Sequence, residues 1–134
     1  LVDSRVRKGL ESLVLILDER TSVEPAGVAG INPATDEMAF FPLLYWPVVD
    51  GSRALDANTL GRVQDYLDRG GTIIFDTRDH GSSGDTGAAA LRSLTSGLDV
   101  PPLSPIPADH VITRTFYLLR DFPSYEDGTL WIEE

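Results

Sequence analysis

The chain has 134 residues, no cysteine and a net charge of −10, from 21 acidic against 11 basic side chains. The length suits one domain able to bury about 68% of its unfolded surface, and an apolar fraction of 42% excludes wholesale disorder. The acidic balance excludes non-specific nucleic-acid binding and docking on anionic membranes, which both need clustered Lys and Arg; the lack of Cys excludes disulfide scaffolds, thiolate metal sites and thiol nucleophiles.

From about Asp3 to Arg20, Val6, Leu10, Leu13, Val14 and Leu17 recur at helical spacing. Asp3 or Ser4 is the expected N-cap. No basic region followed by a long apolar stretch marks a signal peptide, and the chain reads as a piece of a longer protein. Thr21 to Asp36 carries Pro25, Gly27, Gly30 and Pro33. It is a loop of about 15 residues, a length that in compact domains often goes with function.

Met38 to Trp46 is continuously apolar, the pattern of a strand buried on both faces in a parallel sheet, with Pro42 marking an irregular start. The whole run to Val49 is far short of the about 20 residues that cross a bilayer, so no membrane insertion of this segment is expected. Pro47 to Ala54 is a loop. Asp56 or Asn58 caps the next helix, whose inner face carries Leu60, Val63, Tyr66 and Leu67 and which stops at Gly70-Gly71. Thr72 to Phe75 follows as a short apolar strand. Strand, helix, glycine stop and strand make a βαβ unit.

Asp76 to Gly87 is the loop at the carboxyl end of that strand, and Ala88 to Ser96 a short helix with Leu91 and Leu94 inward. Four prolines stiffen Val100 to Ala108 into an extended connection. Val111 to Leu119 suits a mixture of strand and short helix, and Thr129 to Ile132 a final strand.

Ligands of open parallel sheets bind beyond the carboxyl ends of the strands. Two polar clusters are candidates there: Asp76, Arg78, Asp79 and His80, and Asp109, His110 and Arg114. Mixed carboxylate and imidazole groups suit a divalent metal or acid–base work. Their ordinary role is structural, with Asp76 and Asp109 holding turns and Arg78 paired to a carboxylate. Gly81 to Gly84 lacks the lysine of a phosphate-binding loop, and no serine nucleophile elbow occurs. Phe40, Phe41, Tyr45 and Trp46 are expected in the core, with Tyr45 and Trp46 nearest a partly exposed rim.

Five ordered stretches carry a resemblance. They are Arg20 to Pro25, Phe40 to Pro47, Gly70 to Asp79, Leu98 to Leu103 and Asp109 to Leu119. Together they resemble an uncharacterised bacterial domain family found at the C-terminal end of large envelope proteins with an N-terminal double-transmembrane region. The resemblance implies a class I glutamine amidotransferase-like, flavodoxin-like α/β fold: a three-layer sandwich around a mainly parallel sheet. It also implies that residues 1–134 are one domain lacking a first strand and its C-terminal end. A true amidotransferase carries a Cys on the turn after the strand that follows Gly-Gly. Here that turn is Asp76-Thr77-Arg78, so thioester chemistry is absent. Arg78 cannot attack, but its planar fork can bind carboxylate or phosphate.

The reading is therefore a non-catalytic α/β module of a membrane-anchored bacterial protein. It is expected to need no cofactor, and to bind a small anionic ligand or a protein through Asp76, Arg78, Asp79, His80, Asp109, His110 and Arg114. The alternative is a hydrolase, metal-assisted or acid–base, using Asp79, His80, Asp109 and His110. It requires the two loops to converge within metal–ligand reach.

Overall fold

A computed structural model describes residues 2–49, 51–78, 86–107, 109–114 and 129–133. Helix α1 spans Val2–Arg20 and already includes Asp3 and Ser4, the expected caps. The long loop after it folds back through a turn in which Asp36 Oδ2 accepts the Asn32 N–H at 2.7 Å. Arg62 fastens that turn to the body of the protein, donating from Nε to the Pro33 carbonyl at 3.0 Å and from its terminal nitrogen to the Asp36 carbonyl.

Met38–Phe40 forms a single 3-10 turn, not strand, and β1 is confined to Leu43–Pro47. Pro42 separates the two, since it has no N–H for a ladder bond. Helix α2, Ala57–Asp68, is capped by Asp56, whose carboxylate accepts the Asn58 and Thr59 N–H groups. It ends in a Schellman motif. The Gly70 N–H donates to the Leu67 carbonyl and the Gly71 N–H to the Tyr66 carbonyl. Gly70 takes the left-handed conformation this motif requires, φ 87°. Strand β2, Thr72–Asp76, pairs parallel to β1 with Leu44 opposite Ile73 and Trp46 opposite Phe75. The βαβ unit expected from the sequence is thus present, as a two-stranded parallel sheet in a mixed α/β structure.

One face of this sheet is covered. Leu44 packs with Met38, Val63 and Tyr66, and Ile73 and Trp46 border that cluster. Helix α3, Thr86–Thr95, packs Ala90 and Leu94 against Val48, beside Trp46 and Phe75. The alternate residues Leu43 and Ile74 stay 45% and 43% exposed. The continuous apolar run predicted burial on both faces; among the described residues α2 and α3 cover one, and Leu43 and Ile74 on the other stay partly exposed.

The proline-stiffened segment holds a short strand, β3, Leu103–Pro105, antiparallel to β4, Trp131–Glu133. Between them lies a one-turn helix, α4, Val111–Arg114. The rest of the segment expected to run to Leu119 lies outside the described residues, as do Asp79 and His80. No helix among the described residues is long and apolar enough to cross a membrane.

The α2 cap gives a test by pH. Hydrogen bonds from Thr59, side chain first and then backbone, hold the Asp56 carboxyl below the usual carboxylate range. The folded state therefore favours the ionised cap. Its contribution is complete above the unfolded value, about 4, and is lost as pH falls through the lower folded value. Asp56→Asn keeps an acceptor for the helix N–H groups but does not titrate. Thermal unfolding followed downward from about pH 5 should show the two proteins' melting temperatures converging. A constant difference would mean that the carboxylate charge is not the source of the cap's stability.

Candidate functional site

The carboxyl ends of β1 and β2 bring together three polar groups. Asp76 closes β2, and Tyr45 lies opposite Ile74 on the neighbouring strand. Side chains two apart on a strand share a face, so Tyr45 and Asp76 meet. The Tyr45 hydroxyl donates to Asp76 Oδ2. The other carboxylate oxygen, Oδ1, accepts the Arg78 backbone N–H at 3.1 Å. The loop leaving β2 is thereby folded back on the strand's last residue, an Asx-type turn.

Arg78 has φ 55°, the only positive value at a non-glycine residue among those described. A long side chain there costs of order 1–3 kcal/mol unless its surroundings hold it. Here the bond to Asp76 contributes to holding it. The guanidinium is exposed, while Tyr45 and Asp76 are half-buried. Burial first, and then the hydrogen bond to Asp76, push the Tyr45 phenol well above its ordinary range, with Arg78 opposing weakly. Tyr45 is therefore a neutral donor at ordinary pH. It locks one carboxylate oxygen and leaves the Arg78 charge at the rim.

The second cluster is built differently. His110 caps α4: its carbonyl accepts the Thr113 N–H at 3.0 Å and the Thr113 hydroxyl at 2.7 Å. Its Nδ1 accepts the Ile112 N–H at 3.2 Å, which puts the ring proton on Nε2. Asp109 and Arg114 are exposed. Among the described residues no hydrogen bond or ion pair joins this cluster to Asp76 or Arg78. Among the described residues no group of three or more His, Asp or Glu is placed to hold a metal ion.

At the other end of the strands a cavity of about 150 Å³ opens beside the 3-10 turn, lined by Glu37, Met38, Arg62, Asp65, Tyr66 and Arg69. Arg62 is committed to the loop carbonyls, so its role there is to hold structure.

Sequence reasoning found Asp76 and Arg78 but assigned Tyr45 to the rim or core, without a partner. The missing signal was register. Tyr45 and Asp76 are 31 positions apart, and only the pairing of Pro47 with Asp76 puts them side by side.

A search of curated proteins finds no match to the chain. The family model for DUF4159, a domain of unknown function, matches residues 1–131. With that match spanning nearly its whole length, the chain belongs to the DUF4159 family.

Proposed function

We propose that this chain is a non-catalytic binding module whose carboxyl sheet edge takes a small carboxylate or phosphate, with Arg78 as the main recognition group. The observation that carries the reading is the left-handed Arg78, strained and exposed at the end of a parallel strand. Strain of this kind is kept where a side chain must point in one direction. The Asx turn on Asp76, whose other oxygen takes the Tyr45 hydroxyl, holds the backbone at position 78 in that conformation. A guanidinium donates two parallel bonds to a planar or tetrahedral anion. Asp79 and His80, next in the chain, and Asp109, His110 and Arg114 complete the set from which a binding rim is drawn.

The same reading takes the domain as amidotransferase-like in fold, a three-layer sandwich carried by a membrane-anchored bacterial envelope protein. The apolar Leu43 and Ile74 on the sheet face away from α2 support a further layer. The chain has no Cys, so the fold's usual thioester chemistry is absent.

Thermal unfolding against inorganic phosphate, acetate, succinate and L-glutamate tests the proposal. A ligand at a hundred times its dissociation constant adds about 2.7 kcal/mol, several degrees for a domain of this size. Arg78→Ala should cut the shift to about half or less, and His110→Ala should weaken it. Stabilisation by none of these anions, or a shift untouched in Arg78→Ala, overturns the reading.

A further inference from the structure

Two opposite charges stand close together at the carboxyl end of β2 without pairing with each other. One residue separates Asp76 from Arg78, which keeps their Cα atoms within about 7 Å. Yet the bond between them uses the Arg78 backbone N–H and not its guanidinium. The other donor to the Asp76 carboxylate is the Tyr45 hydroxyl. Both donors are neutral, so they occupy two lone pairs and leave the negative charge uncompensated. An ionised carboxylate has about four acceptor sites, which leaves room for further donors. Among the described residues no ion pair is made by Asp76 or by Arg78.

These surroundings favour a ligand of both signs over a simple anion. On the loop that follows β1, Arg53 is exposed and bonded to neither residue, and Asp56 is committed to the α2 cap. The Arg78 charge reaches the Tyr45 hydroxyl, where it opposes the upward push on the phenol. An anion seated on Arg78 therefore lies within the field of the Asp76 carboxylate and is repelled by it. The net charge of −10 on the chain adds to that repulsion. An ammonium group a few bonds from the anion turns the same carboxylate into a partner. It donates to the free lone pairs of Asp76 while the acidic group takes the guanidinium fork.

We infer that the ligand of this sheet edge is a small zwitterion, its acidic group on the Arg78 guanidinium and its ammonium on the Asp76 carboxylate. This rests on the anion site proposed above and narrows what that site takes. Amino acids and aminoalkyl phosphates carry both charges; simple carboxylates and phosphate carry one.

Amide chemical-shift titration of the full 134-residue chain tests this with two matched pairs at neutral pH: β-alanine against propionate, and phosphoethanolamine against ethyl phosphate. The members of a pair differ only in the amino group. In at least one pair the zwitterion should bind at least about tenfold tighter, the worth of one charge-assisted hydrogen bond. The pair that discriminates tells a carboxylate ligand from a phosphate. Asp76→Asn removes the charge and keeps an acceptor for the Arg78 N–H. It should bring the members of that pair to within about twofold of each other. Circular dichroism shows whether this variant folds, and the wild-type ratio is decisive by itself if it does not. Equal affinities within both pairs overturn the inference and leave the anion site standing, and a preference that survives in Asp76→Asn overturns it too. Binding by no member of either pair overturns the anion site as well.

Discussion

Replacing Tyr66 with alanine is expected to cost about 3–5 kcal/mol, the range for truncating a buried ring. That is a large part of the about 5–15 kcal/mol that holds a domain folded. The side chain is 6% exposed and sits in the cluster of Met38, Leu44 and Val63. Its hydroxyl also lies where the two strands begin, 2.9 Å from the Phe41 carbonyl and 3.2 Å from the Thr72 carbonyl. With one proton it donates to one of these at a time, and it accepts the Thr72 N–H at 3.2 Å. Tyr66→Phe keeps the ring and removes this junction. About 1–3 kcal/mol is the expected loss, because the backbone groups are left without their partner.

Gly71 makes the test specific. A Cβ at position 71 would run into the Tyr66 ring. Gly71→Ala should therefore be costly in the wild type and in Tyr66→Phe, and much milder in Tyr66→Ala, where the ring is gone. Urea unfolding of the four combinations of Tyr66→Ala and Gly71→Ala measures the coupling. Additive costs would show that Gly71 is needed for some reason other than the Tyr66 ring.

This pair also shows what was legible in the chain and what was not. Helical spacing pointed to Val63 and Tyr66 as inward, and the Gly-Gly stop was readable because few residues other than glycine adopt a left-handed helix end. The division of labour within Gly70-Gly71 was not. Gly70 is needed for its φ, Gly71 for the ring that crosses it, and only the second depends on packing. Burial of the sheet was half legible. The unbroken apolar run from Met38 to Trp46 carries no record of which neighbours cover each face, and Leu43 and Ile74 stay 45% and 43% exposed while Leu44 is buried. Met38 itself went to a 3-10 turn because Pro42 ends the ladder. At the sheet edge, local signals sufficed for the Asp76–Arg78 turn, whose partners are two residues apart. Tyr45 needed a strand register that no local pattern encodes. His110 was read as a candidate ligand from its residue type; the structure adds that its Nδ1 and carbonyl cap α4.

Arg78→Gly is expected to lose ligand binding and gain stability, in the same protein. In the left-handed region a non-glycine residue costs of order 1–3 kcal/mol, and glycine returns about 0.5–1 kcal/mol of that as unfolded-chain entropy. The net gain should lie between about 0 and 2.5 kcal/mol, read as a higher urea midpoint at unchanged slope. The Asp76 bond uses the backbone N–H at position 78 and is retained by glycine. Binding should fall by tenfold to about a hundredfold, since a hydrogen bond to a charged group contributes roughly 1.5–3 kcal/mol. Arg78→Ala separates the two effects. It removes the same guanidinium but keeps the Cβ in the strained conformation, so it should bind as poorly as glycine without the gain in stability. Arg78→Lys keeps the charge and loses the fork, and should recover part of the binding to phosphate and less of that to carboxylates. If glycine instead destabilises the domain, the arginine side chain is a structural element of the β2–α3 connection, and the strain at position 78 is not the trace of a recognition site.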